Sequence, residues 1–357
     1  LLLHTDGPAW RPPRPGRSPD GDTTIAPSAL TESQRLALLA LALLLLTALS
    51  LFLGRYPGPY LTPLSALSED PLALRLMLNL RLPRILGAIM VGMVLAASGT
   101  SFQMIFRNPL VDSGFLGVSA GASFGASLAI VALGGASWAV QACAAVFGIL
   151  GLVSSYALGT RIRYGDWVLR LVLAGIAVSA LYSSGTSLLK YAADPLRQLP
   201  EITFWMLGGL WSLTWKDVLQ IAPVVLPCLV VIILLRWRLN LLSLRDETAY
   251  SLGVSAGRER LVLLLAAVLS TAAVVSKTGL IGWVGLIVPH IARRWVGSDA
   301  QRALPGSMLL GAVFVLACDD IARTAMTGEI PLGILTSLLG AAIFMGLMMR
   351  DGTGLKR

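Results

Sequence analysis

The sequence predicts an all-α integral membrane protein of about ten transmembrane helices, and three observations carry that expectation. Hydrophobic residues make up 55% of the 357, charged residues only 13%, and the mean hydropathy is +0.76. So little polar surface cannot coat a water-soluble globule. The apolar residues fall into successive blocks that approach the roughly 20 residues a bilayer-crossing helix needs. Lys and Arg stand singly or in pairs between those blocks, as juxtamembrane charge does, so the net charge of +9 does not signal nucleic-acid binding.

The elements follow in order. Residues 1–30 contain HTDGPAWRPPRPGRSPDGDTTIAPS, rich in Pro, Gly and charge and without periodicity. They predict a disordered cytoplasmic arm ahead of a single transmembrane domain, 31–357. The first apolar run, Leu36 to Leu53, is long enough to span, and Gly54, Arg55, Tyr56 and Pro57 follow it in place of a small-residue cleavage site. It reads as a retained helix, and Thr31, Glu32, Ser33 and Gln34 fit a capping box that starts it at about Glu32. Nine more spans are expected at about 85–106, 114–133, 138–159, 168–189, 218–235, 261–276, 280–296, 304–322 and 331–349. Several are short and rich in Gly, Ser and Ala, which favours tilted, closely packed helices. Gly117, Gly121 and Gly125 recur every four residues, a face that lets helix backbones approach, and helix packing accounts for it. Cys143, Cys228 and Cys318 lie inside apolar runs at spacings that suit neither a disulfide framework nor a zinc site.

Orientation follows from the cations. With the N-terminus in the cytoplasm, 19 of the 28 Lys and Arg residues fall on the cytoplasmic side, which supports an even helix number with both termini inside. Arg81, Arg84 and Arg323 then face outward, against the rule. Arg81 and Arg84 could interact with lipid headgroups at the interface. Arg323 follows Asp319 by four residues and Asp320 by three, an order that favours ion pairing along one helix.

The stretch RLPRILGAIMVGMVLAASGTSFQMIFRNPLVDSGFLGVSAGASFGA, Arg81 to Ala126, resembles the signature region of the permease subunits of FecCD-like, type II ATP-binding-cassette importers for iron chelates, haem and cobalamin. GLIGWVGLIVPHIARRWVG at 279–297, with DDIART and EIPLGILTSLLGAAIF within 319–344, continues the resemblance. It covers nearly everything after the Pro-rich arm. The resemblance implies a ten-helix homodimeric permease in the inner membrane of a bacterium, two cytoplasmic ATPase subunits that bind ATP and Mg, and a periplasmic or lipid-anchored substrate-binding protein. It also implies an inverted repeat, faintly visible as the G-x-x-G of GFLGVSAG at 114 and of GLIGWVGL at 279.

What the resemblance implies for single residues is specific. Arg81, Arg84 and Arg323 occupy the positions that meet acidic residues on the two lobes of the binding protein. The polar segment RWRLNLLSLRDETAYSLGVSAGRERL would hold the element that couples to the ATPase, with Glu247, Ala249, Leu252 and Gly253 as contacts. The fifth and tenth spans would line the dimer-axis path, with Gly175, Ser179, Ser183 and Ser337 on its wall, and Arg163, Tyr164, Gly165 and Asp166 would close it on the cytoplasmic side. The aromatic segment RQLPEITFWMLGGLWSLTWKD would form a short re-entrant helix at the outer mouth.

No G-x-x-x-x-G-K-[ST] loop occurs, so nucleotide hydrolysis belongs to a separate subunit, and the chain is expected to be no enzyme and to carry no cofactor or metal of its own. The two histidines, His4 and His290, support no catalytic constellation. A metal-oxyanion importer on the same scaffold is the alternative. An ion-coupled secondary transporter is a more distant one, because it would want carboxylates near mid-membrane, and Asp319 and Asp320 are the only close pair inside a span.

Overall fold

Apolar length and glycine placement together decide how these helices arrange. A computed structural model describes residues 31–56, 58, 60–63, 65, 69–112, 114–244, 248, 251, 256–326 and 328–352. The arm at 1–30 and the expected coupling contacts Glu247, Ala249, Leu252 and Gly253 lie outside the described residues.

In chain order the helices are α1 (Glu32–Phe52), α2 (Pro71–Leu76), a π-helical turn (Met77–Arg81), α3 (Leu82–Ile105), α4 (Val118–Ala132), α5 (Ser137–Arg161) and α6 (Trp167–Ala192). They continue as α7 (Gln198–Leu207), α8 (Trp215–Leu234), α9 (Arg236–Leu242), α10 (Ala256–Thr278), α11 (Val284–Val296), α12 (Ala300–Thr324) and α13 (Leu332–Gly352). Each of the ten expected spans is a helix. Among the described residues, eight helical segments are long and apolar enough to cross a membrane, α2 and α3 counting as one. The other two expected spans form α4, of 15 residues, and α11, of 13. At about 1.5 Å per residue they fall short of a hydrocarbon core about 30 Å thick.

Composition sorts the helices into centre and periphery. In α1, whose apolar residues are mostly leucine, 11% of the spanning window is buried, and Leu41, Leu44, Leu45 and Leu49 are exposed where lipid would lie. In the α2–α3 segment, whose second half is rich in Gly, Ala and Ser, 78% is buried. Lipid is as apolar as leucine, so packing contact rather than water expulsion holds such helices together, and small residues maximise it. Gly99 of α3 crosses Gly285 of α11 so closely that a Cβ at Gly99 would collide with the Gly285 carbonyl. The Gly121 and Gly125 face of α4 rests on the carbonyls of Phe147 and Cys143 in α5 in the same way.

Buried hydroxyls are satisfied without water. Thr100, Ser101, Ser127, Ser270 and Ser307 each donate to the carbonyl four residues earlier in their own helix, at 2.6–2.9 Å. Ser98 instead reaches across to the Ala267 carbonyl of α10, at 3.1 Å. Such internal pairing is what a bilayer demands of polar groups.

The short helices share a setting. A cavity of about 170 Å³ is lined by Gly114 and Ser119, at the approach to α4, and by Leu280, Gly282 and Gly285, at the approach to α11, with Asp112 and Thr271 beside them. The two G-x-x-G segments thus meet at one place, each ahead of a helix too short to span.

Candidate functional site

The motif RLPR owes its shape to Pro83, which has no N–H to give the carbonyl four residues earlier and so cannot continue a regular ladder. The helix widens instead. The Leu82 N–H reaches back to the Met77 carbonyl, five residues away, and Met77–Arg81 form the π turn. In that pattern the donor for the Leu78 carbonyl would be Pro83. The Trp215 indole supplies it from α8, at 2.8 Å.

From this turn Arg81 points toward the end of α1. Its guanidinium donates to the Leu51 carbonyl at 2.9 Å, to the Thr62 hydroxyl at 2.8 Å and to the Tyr56 carbonyl at 3.1 Å. All three acceptors are uncharged. The loop they belong to is held by Gly54 N–H donating to Tyr60 at 3.0 Å and Thr62 N–H to Phe52 at 2.9 Å. The Tyr56 hydroxyl donates to Asp70 at 2.6 Å, and that bond keeps the Asp70 carboxyl below the ordinary carboxylate range and raises the phenol. Asp70 also caps α2 by accepting from Leu72 N–H at 2.8 Å.

Arg84, one turn further, is divided between two carboxylates. Its Nε and Nη2 donate to Asp319 of α12 at 2.9–3.0 Å, while Nη1 donates to Glu329 at 2.9 Å. The Asp319 side chain is 0% exposed, that of Arg84 12% and that of Glu329 37%. Asp319 is therefore bound to Arg84 across 235 residues of sequence, whereas the expected partner within its helix, Arg323, pairs with Asp320. Arg323 is buried and also donates to the carbonyl and hydroxyl of Ser50 at 2.6 Å. Each of the three arginines thus has acceptors within the protein.

These groups converge. A cavity of about 250 Å³ is lined by Gly54, Arg55, Leu80, Arg81, Arg84, Trp211, Leu213, Arg323 and Glu329. Among the described residues, four arginines and one glutamate line it. The aromatic segment contributes Trp211 and Leu213 to this lining; before them α7 ends at Gly208, the Gly209 N–H donates to the Thr278 carbonyl at 2.8 Å, and the N–H of Gly333 at the start of α13 donates to Gly208 at 3.4 Å.

The opposite end is tied by its own polar set. Asn240 of α9 donates to Asp299 at 2.7 Å and accepts from Ala300 N–H at 2.9 Å, so a side chain of one helix helps cap another. Hydrogen bonding to Asn240, then to Gln301 N–H, lowers the Asp299 carboxyl below its ordinary value. At this end the connection between α5 and α6 carries Arg163, Tyr164, Gly165 and Asp166, all exposed, with Tyr164 at 77%. Gly165 turns the chain with φ 83°, and Asp166 caps α6 by accepting from Leu169 N–H at 2.8 Å.

Of the residues expected on a path, Gly175 is buried against Phe115 and Leu116, Ser179 and Ser337 are half-buried, and Ser183 is exposed. Ser183 joins Ser119, Ser123, Thr186, Ser187 and Lys190 around a cavity of about 340 Å³.

The model of the FecCD transport family matches residues 42–350. The chain belongs to the FecCD transport family. It is 38% identical over 313 residues to the molybdate import system permease protein MolB of Haemophilus influenzae, covering 86% of this chain and 92% of that protein. It is 40% identical over 282 residues to the hemin transport system permease protein HmuU of Yersinia pestis, covering 77% and 83%. The fold agrees with a solved structure described as an inward-facing conformation of a metal-chelate type ABC transporter, with a TM-score of 0.81, 38% identity, and coverage of 88% of this chain and 98% of that one. This FecCD-family chain is accordingly a multi-span permease of an ABC transporter.

Several members of the rim were not singled out from the sequence. Glu329 opens EIPLG, within the family motif, but nothing in its spacing marks it as a partner of Arg84. Ser50, Thr62 and Tyr56 serve through single oxygens in or beside apolar runs. Trp215 carries no signal in its own neighbourhood, because the carbonyl that it serves, Leu78, lies far earlier in the chain.

Proposed function

We propose that this chain is the permease subunit of an ATP-driven importer that passes a metal chelate, such as a ferric siderophore, haem or cobalamin, through the cytoplasmic membrane of a bacterium. Two copies form the path, two cytoplasmic ATPases carrying ATP and Mg drive it, and a periplasmic or lipid-anchored binding protein delivers the cargo. The observation that carries this reading is the basic rim cavity, where Arg81, Arg84 and Arg323 of a FecCD-family fold stand together. Charge complementarity at such a rim favours orientation and fast encounter over tenacious binding, which suits a carrier that must dock, deliver and leave.

Other features support the same assembly. The faces of α6 and α13 bearing Leu181, Leu188, Tyr191 and Leu338 are exposed in the single chain, as an axis between two copies requires. Arg163, Tyr164, Gly165 and Asp166 gate the far end of that axis, and Glu247, Ala249, Leu252 and Gly253 contact the ATPase. Asp319 and Asp320, the carboxylates an ion-coupled carrier would use, are each engaged by an arginine, which weighs against that alternative. Import of a metal oxyanion is the second reading, favoured by the likeness to MolB across 92% of that protein's length.

The test is reconstitution in liposomes with the ATPase and the binding protein encoded beside this chain, the latter loaded in turn with ferric siderophore, haem, cobalamin or molybdate. Uptake and stimulated ATP hydrolysis with one cargo support the importer and name its substrate. No stimulation by any loaded binding protein refutes it. Reversing Arg81, Arg84 and Arg323 to Glu is expected to weaken docking at low salt at least tenfold, and unchanged affinity would remove the rim from the docking role.

A further inference from the structure

Among the described residues lining the rim cavity is an acidic side chain to which docking assigns no task. Glu329 lies on the connection between α12 and α13 and takes one N–H of Arg84, while Asp319 takes the others. The two carboxylates differ in their freedom to leave. Asp319 is fully buried in α12, so its departure would strand a charge out of water. Glu329 is more than a third exposed and sits outside any helix, so its departure costs far less.

We infer that Glu329 is an internal stand-in for an acidic side chain of the binding protein, and that docking exchanges it for the incoming carboxylate on Arg84. The inference rests on the docking reading above and goes beyond it. Arg84 presents a planar fork of donors that accepts one carboxylate on each edge. The inner edge is permanently occupied and the outer edge holds a replaceable occupant. Arg81, next to it, offers its charge only to neutral oxygens among the described residues, so an arriving carboxylate finds uncompensated positive charge within the same cavity.

Exchange would have two consequences. One charge-assisted hydrogen bond is broken for each one made, so the bound state gains little from Arg84 and release stays fast. Glu329 also lies three residues before α13, and the neighbouring Ile330 N–H is anchored to the Ala322 carbonyl at 3.1 Å. Displacing Glu329 therefore acts on the entry to a helix that lines the proposed path.

The test uses the full permease with its ATPase in nanodiscs and titrates the binding protein encoded beside it, free of cargo, at low salt. Glu329→Gln keeps the size and removes the competing charge, so Kd is expected to fall ~3- to 10-fold, the upper figure being about 1.4 kcal/mol. Glu329→Asp keeps the charge and is expected to stay within twofold of the parent. An unchanged or raised Kd for Glu329→Gln overturns the exchange. Arg81→Glu separates the two readings: if it weakens binding while Glu329→Gln does nothing, docking stands and the exchange falls. If Arg81→Glu has no effect either, the docking reading itself has failed.

Discussion

The bond between Arg84 and Asp319 ought to be among the most expensive contacts of the described residues to break from one side. Three donor–acceptor distances of 2.9–3.0 Å join a carboxylate with no exposed side-chain surface to a guanidinium that is 12% exposed. Removing one partner of a buried pair costs about 3–5 kcal/mol, because the other is left charged and dry. The two sides are unequal. Asp319→Leu leaves Arg84 its bond to Glu329, whereas Arg84→Met leaves Asp319 with no hydrogen-bonded cation, so Arg84→Met should sit at the upper end of that range and Asp319→Leu at or below the lower. The double variant replaces the pair by apolar groups of similar bulk and should recover at least about 2 kcal/mol relative to the sum of the single changes. Reversible unfolding in mixed detergent micelles, followed by far-ultraviolet circular dichroism against the denaturing-detergent fraction, measures all three. Strict additivity, or single losses below about 1 kcal/mol, would refute the reasoning, since the pair would then be worth no more than a surface salt bridge.

Two further outcomes follow from the packing and the caps. Gly125→Leu drives a side chain into the Cys143 carbonyl, so separation of α4 from α5 should cost at least the ~1–3 kcal/mol typical of overpacking, read as a lower midpoint in the same unfolding assay. Asp299→Ala removes the cap of α12 and one anchor of α9, at about 1 kcal/mol. Because the folded Asp299 carboxyl lies below its ordinary value of about 3.9, its contribution is complete above that pH and vanishes as pH falls through the depressed value. The parent should therefore lose stability in that acid range while the alanine variant, already lacking the contribution, changes less. Parallel acid profiles would show that the carboxylate does not hold this joint.

The helices were legible because a bilayer imposes a length and a hydropathy that a sequence states outright. All ten expected spans are helical, α1 begins at Glu32 where the capping box places it, and Gly121 and Gly125 pack as their spacing suggests, whereas Gly117 stands just ahead of α4 with φ 82°. Helix α2 was not legible although Asp70 followed by Pro71 is a start signal, because six residues are too few to form an apolar block. The partners of the rim arginines were illegible for a different reason. Spacing along one helix offered Asp319 and Asp320 equally to Arg323, but the rotation of α12 against α3 decides that Asp319 faces Arg84, and rotation is set by side chains hundreds of residues apart. Arg81 is further out of reach, because its acceptors include two backbone carbonyls, which every residue carries and no sequence pattern distinguishes.

The π turn ahead of Leu82 also has a bearing on length. Such a turn holds one residue more than an α-helical turn, so the helix has in effect absorbed a single inserted residue while keeping its two flanks continuous. Excising one residue from 77–80 would close the turn and swing α2 by about 100° around the axis of α3. The Leu78 carbonyl would leave the Trp215 indole, without any charged side chain being touched. Register, as much as residue type, therefore governs what this segment presents, and a relative with one residue fewer here can keep every rim arginine and still turn a different face of α2 toward its neighbours.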